Sequence, residues 1–198
     1  METNSQLLVQ TLTPVVEVLE RLNIPYHIGG SVASSLYGAF RPTQDVGLVA
    51  DLHLTQVRPF VKSLENDYYV VEDSVRDAIR HRSSFNLISN VTFMKVDIFI
   101  PKLRAFDQDA LQRVQTLPLQ GGGREFVVAA PEATIVHKLE WYEMGGRVSG
   151  RQWSDIVGVL KQQVGLLDLA YLDRWTALLG VHDLLEQALK EAGIRPQE

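Results

Sequence analysis

Residues 91–101, VTFMKVDIFIP, alternate with a period of two: Met94, Val96, Ile98 and Ile100 fall on one side, and Phe93, Lys95, Asp97 and Phe99 on the other. That period belongs to a β-strand, whose successive side chains point to opposite faces. A strand with one wholly apolar face belongs to a sheet in which that face is covered. Asp97 then lies on the mixed face, where a polar site can form. SFNLIS (84–89) reads as a second strand, joined to the first by a turn around Ser89 and Asn90.

The other segments divide by period at Pro131. Before it, helices and strands alternate. Leu7, Leu8, Leu12, Val15, Val16, Leu19 and Leu22 recur at helical spacing and are stopped by Asn23 and Pro25. YHI (26–28) is a short strand, Ser31 caps a short helix ending at Gly38, and DVGLVA (45–50) is the next strand. A helix over about 55–65, a short strand at YYVV, a helix over 73–81 and a strand in REFVVAA complete this part. From Pro131, well suited to a first helical position, the pattern is only helical. One helix runs to Gly145-Gly146, Ser149–Gln152 carries a capping-box signature, and two more helices flank Gly180. The fold expected is therefore a mixed α/β (α+β) sheet flanked by helices over residues 1–130, with a C-terminal helical bundle over residues 131–198.

Composition narrows the chemistry. With no cysteine among 198 residues, disulfides, thiolate zinc sites and a cysteine nucleophile are excluded. A net charge of −5 gives no global basic footprint, so any nucleic-acid contact needs a local patch. No stretch reaches the roughly 18 apolar residues of a membrane span, and the N-terminus lacks a signal-peptide layout. A cytoplasmic protein is the expectation.

The stretch 29–52, GGSVASSLYGAFRPTQDVGLVADL, runs from a glycine–glycine–serine turn through Arg41 and Thr43 to Asp45 at the mouth of an apolar strand. Gly30, without a side chain, lets the backbone approach a phosphate, and Ser31 adds a hydroxyl and backbone donors at a helix start. Carboxylates at i and i+2 of a strand share a face and can share Mg²⁺, a hard ion that takes oxygen ligands. A third carboxylate from a neighbouring strand can hold a second ion. The i+2 partner of Asp45 is position 47, and Gly47 offers no ligand.

This stretch resembles the nucleotidyltransferase superfamily of the DNA polymerase β type. In that motif a Gly-Gly or Gly-Ser pair is followed, after a spacer, by Asp-hydrophobic-Asp/Glu-hydrophobic. Here Gly30 and Ser31 are followed by thirteen residues and then Asp45-Val46-Gly47-Leu48, so the spacing fits and one carboxylate is missing. Asp97 in KVDIFI matches the family's third carboxylate. The segment 130–160, APEATIVHKLEWYEMGGRVSGRQWSDIVGVL, is similar to the helical part of AbiEii-type and MenT-type toxin nucleotidyltransferases, and Lys138 and Asp155 match a helix lysine and a later helix aspartate there. The resemblance covers roughly residues 24 to 162.

The resemblance implies transfer of a nucleoside monophosphate from a nucleoside triphosphate, with Mg²⁺ or Mn²⁺, to an RNA (tRNA) end or a protein acceptor, and its toxin relatives imply a toxin–antitoxin pair with a cognate antitoxin. Asp45, Asp97, Lys138 and Asp155 are the expected catalytic set, with Asp45 and Asp97 on metal. Gly29, Gly30, Ser31, Arg41 and Thr43 are the expected phosphate set. Lys138 and Asp155 should lie within reach of each other, because short connections favour antiparallel helices. A second reading follows from Gly47: a nucleotide-, RNA- or partner-binding module that has lost its chemistry. A third is a structural partner of a toxin–antitoxin pair.

Plainer roles stand beside these. Lys138 follows an apolar helix face, where most lysines snorkel, and Asp155 is placed as a first-turn acid. Arg41 either steers phosphate or pairs with a carboxylate. The five histidines show no metal-ligand spacing, and His27 reads as structural. Trp141, Trp153, Trp175, Tyr142 and Tyr171 read as core, Arg76, Arg80 and Arg82 as a solvated face, and Gly121–Gly123 as a loop.

Overall fold

The computed structural model describes residues 3–39, 43, 45–119 and 123–194. Arg41, Gly121 and Gly122 lie outside the described residues. The chain divides into two compact units, discontinuous in sequence: Met1–Gly29 with Pro42–Val128, and Gly30–Arg41 with Ala129–Glu198.

In the first unit a seven-stranded mixed sheet runs β3-β4-β5-β2-β1-β7-β6. Its strands are β1 (Tyr26–Gly29), β2 (Asp45–Ala50), β3 (Tyr68–Tyr69), β4 (Ser84–Ser89), β5 (Lys95–Phe99), β6 (Val114–Pro118) and β7 (Glu125–Ala129). β2 pairs antiparallel with β1 and parallel with β5, while β4 pairs antiparallel with β5. The register places Ile28, Leu48, Ile98 and Phe85 across one row and Val46, Val96 and Leu87 across the next, all on one face and all buried. Helices α1 (Asn4–Arg21), α3 (Val57–Leu64) and α4 (Glu72–His81) contribute the matching apolar residues, among them Leu12, Val15, Val16, Leu19, Phe60 and Val75, each fully buried. Every such aliphatic side chain stabilises the fold by about 1.5–3 kcal/mol relative to exposure. Phe60 meets Phe85 edge to face, ring centres 6.1 Å apart.

The alternating segment 91–101 delivers a shorter strand than its pattern predicts. Residues 90–94 form the turn: Phe93 N–H donates to the Ser89 carbonyl and Ser89 N–H to the Met94 carbonyl, each at 3.0 Å, with Phe93 at φ +56°. The fully buried Thr11 of α1 lies 2.6 Å from Thr92, hydroxyl to hydroxyl, and ties the turn to the helix. Two elements escape the sequence reading, α5 (Ala105–Gln112) and β6. α5 buries only Phe106, Asp107 and Ala110, too sparse a stripe to stand out as a period.

The second unit is helical: α2 (Gly30–Leu36), α6 (Pro131–Met144), α7 (Gly150–Gln162), α8 (Leu169–Leu179) and α9 (His182–Glu191). α6 packs on α7 and α8, α9 on α7 and α8, and α2 on α6 and α7. Ile135, Val136, Leu139, Ile156, Val159, Leu160, Leu172 and Leu185 are fully buried. Caps follow the sequence: Ser149 accepts from Gln152 N–H, and Asp168 from Tyr171 N–H. α2 begins at Gly30 rather than after Ser31. No helix among the described residues is long and apolar enough to cross a membrane.

Candidate functional site

The face of the sheet opposite the α1–α3–α4 core carries the polar residues of β2 and β5. Because β2 and β5 are parallel and in register, Asp45 lies beside Lys95 and Gly47 beside Asp97. Gly29 of β1 pairs with Gly47, and Asn86 of β4 with Asp97. One row across four strands therefore reads Gly29, Gly47, Asp97, Asn86, with Asp45 and Lys95 one step along. Two glycines side by side put no side chain at this point of the sheet. Among the described residues, a Cβ added at Gly29 would meet only His27 Cδ2, at 4.0 Å. Strand glycines of this kind mark places where another group comes close to the backbone.

Lys95 and Asp97 share a face at i and i+2, and Lys95 Nζ lies 2.9 Å from Asp97 Oδ2. Their side chains are 42% and 26% exposed, so the pair is within reach of a solute. The hydrogen bond to Asp97 is the largest influence holding the Lys95 ammonium above the usual lysine range; partial burial opposes it, and attraction to Asp97 and then Asp45 adds to it. Lys95 is the functional candidate that sequence reasoning passed over. Its signal was present in the strand alternation, which already put it on the face of Asp97. Thr43 Oγ1 donates to the backbone carbonyl of Asp45 at 2.9 Å, and the Asn4 amide donates to the Thr43 carbonyl. In this geometry Thr43 shapes the entry to β2.

The donor set does not fit a two-ion magnesium centre. Mg²⁺ requires near-octahedral oxygen coordination. This face offers Asp45 and Asp97 on neighbouring strands, glycine at 47, and an ammonium already bonded to Asp97. No cluster of three or more ligating side chains occurs among the described residues.

In the helical unit, Gly30 holds φ +61°, the left-handed region that favours glycine. The seven-residue α2 then places Ser34 and Ser35 hydroxyls on the Gly30 and Ser31 carbonyls, both at 2.9 Å. Lys138 Nζ donates to Asp155 Oδ2 at 2.8 Å, joining α6 to α7, and both residues are almost fully buried. Lys138 is therefore not a snorkelling lysine: its ammonium is inside the bundle. Near it in sequence, the buried Glu132 accepts from Asp168 N–H at 2.9 Å and orders the start of α8.

Of the plainer assignments, His27 is buried, as are Trp175 and Tyr171, while Trp141, Trp153 and Tyr142 are half-buried. Arg76 pairs with Glu72, and Arg82 bonds Asp51 and the Pro101 carbonyl, so two of the three clustered arginines serve the fold.

This combination of mixed sheet and helical unit defines the fold as nucleotidyltransferase-like. An antigenic nucleotidyltransferase-like protein from Paracoccidioides brasiliensis matches with a TM-score of 0.52 over 92% of this chain and 92% of that one, at 22% identity. The antibiotic-resistance factor ANT(2″)-Ia matches with a TM-score of 0.58 over 92% of this chain and 97% of that one, at 13% identity. The same factor in complex with adenylyl-2″-tobramycin matches at 0.58 over 87% and 96%, again at 13% identity. At these identities the likeness is one of fold. No protein-family profile and no curated protein matches the chain.

Proposed function

We propose that the chain binds a nucleoside triphosphate at the sheet face of Asp45 and Asp97 and transfers its nucleoside monophosphate to a hydroxyl acceptor. The observation that carries this reading is the register of β2 with β5, which sets both carboxylates on one face beside Gly29 and Gly47, which carry no side chain. In the reaction the acceptor oxygen bonds to the α-phosphorus as the bond to the bridging oxygen breaks. Pyrophosphate leaves, and the hydroxyl proton passes to a carboxylate of this face. Such transfer depends mainly on positioning and charge neutralisation. The superfamily resemblance gives Gly30 and Ser31 a phosphate-binding role, whereas Lys138 and Asp155, buried and bonded to each other, link α6 to α7 within the helical unit.

The structural neighbour bound to adenylyl-2″-tobramycin supports AMP as the transferred group and a small polyhydroxylated molecule as acceptor. The net charge of −5 also favours a small acceptor over a polyanionic one. An RNA end or a protein hydroxyl, with a cognate antitoxin, is the acceptor that the toxin-like segment 130–160 supports. One observation favours a second reading, binding without turnover: the position of the second motif carboxylate is a glycine paired with another glycine.

Incubation with α-labelled nucleoside triphosphates, aminoglycosides, total tRNA and lysate protein separates these readings. Transfer of label that falls about a hundredfold or more in Asp97→Asn supports the enzyme. Triphosphate binding without transfer to any acceptor supports the binding module. Neither binding nor transfer overturns both.

A further inference from the structure

We infer that Lys95 is the resident cation of this sheet face, neutralising Asp97 and Asp45 and so keeping divalent metal off the carboxylates. The inference rests on the assignment of that face as the nucleotide site, but its central measurement needs no nucleotide. Three observations converge. Lys95 Nζ lies 2.9 Å from Asp97 Oδ2. Lys95 is the direct cross-strand neighbour of Asp45. Gly47, beside Asp97, contributes neither charge nor ligand.

Asp45 and Asp97 occupy adjacent strands on one face, diagonal to each other across the Lys95–Gly47 positions. Without a positive charge between them, two carboxylates so placed repel and draw in a cation. An ammonium supplied by β5 itself meets that need without a bound ion. A divalent ion arriving at Asp97 has to displace Lys95 and then lies against an unneutralised ammonium, which opposes it electrostatically. A lysine is a compact point charge with three donors on a flexible stem, so the same group can turn to a phosphate when a triphosphate arrives. On β4 the neighbours of Lys95 and Asp97 are Ile88 and Asn86, neither of them an acid.

The test titrates Mn²⁺ alone, followed by electron paramagnetic resonance of the unbound ion, into the natural protein, Lys95→Met, Lys95→Gln and the double variant Lys95→Met/Asp97→Asn. Lys95→Met is expected to bind Mn²⁺ at least tenfold more tightly than the natural protein. Lys95→Gln, which keeps a donor for Asp97 without the charge, is expected to gain in the same direction. The gain should vanish in the double variant. Thermal melts should show Mn²⁺ stabilising Lys95→Met and leaving the natural protein unmoved, a response that a merely structural lysine would not produce. Equal or weaker Mn²⁺ binding in both single variants overturns the inference, as does a gain that survives loss of Asp97. If Lys95→Met does not fold, Lys95→Gln decides alone. A triphosphate that fails to bind any of these proteins would instead remove the proposed function, whatever the Mn²⁺ titration shows.

Discussion

Gly47 and Gly30 are both glycines of the motif stretch, yet they stand in different backbone settings. Gly30 has φ +61°, so any side chain there is strained. Gly30→Ala is expected to cost about 1–2 kcal/mol of unfolding free energy in urea titrations. Gly47 lies within a regular strand and is paired with Gly29, so no side chain stands at that point of the sheet. Gly47→Asp would put a second carboxylate in the row of Asp97 and, with Asp45, a third on that face. The expected outcome is a lower melting temperature in chelator, from like-charge repulsion with Asp45 and Asp97, and Mg²⁺-dependent ATP binding at least tenfold tighter than in the natural protein, measured by calorimetry. A variant with unchanged ATP affinity and intact folding would show that position 47 is not a vacated ligand position.

Among the elements, α6 and α7 are joined by the Lys138–Asp155 bond at 2.8 Å, sealed inside the helical unit. Removing one partner of a buried pair takes a bonded counter-charge away from the other. Asp155→Ala is accordingly expected to cost about 3–5 kcal/mol, and Lys138→Met/Asp155→Leu much less, as read from urea midpoints. The residues of this pair were named by the family resemblance, and that their helices lie side by side was legible because a proline start, a glycine turn and a serine cap bounded them. The polar row on the sheet was legible only in part. Alternation put Lys95 and Asp97 on one face, but no sequence pattern states that β2 is parallel to β5 in a register that sets Gly47 beside Asp97. α5 and β6 were missed for a related reason. Their buried residues are few, and the exposed pattern of VQTLP carries no clean alternation.

At the scale of the whole molecule, both units hold buried phenols. Burial above all pushes the Tyr26, Tyr37 and Tyr68 hydroxyls well above the usual tyrosine range, aided at Tyr26 by its hydrogen bond to Glu20. The folded state thus keeps protons that the unfolded chain releases near pH ~10. Their contribution is fully present below that pH and is lost as pH rises above it. Tyr68 donates to the Thr11 carbonyl at 2.6 Å. Tyr68→Phe should lower stability near neutrality by about 1 kcal/mol and make its decline above pH ~10 shallower, as followed by urea unfolding across pH. The claim on which the functional account turns is that a nucleoside triphosphate sits on the sheet face of β2 and β5. Amide chemical-shift mapping during titration with ATP tests it most directly. The account expects the largest shifts at Asp45, Gly47, Lys95 and Asp97, and their collapse in Asp97→Asn. Shifts confined to α1, α3 and α4, which cover the opposite face of the sheet, would contradict it.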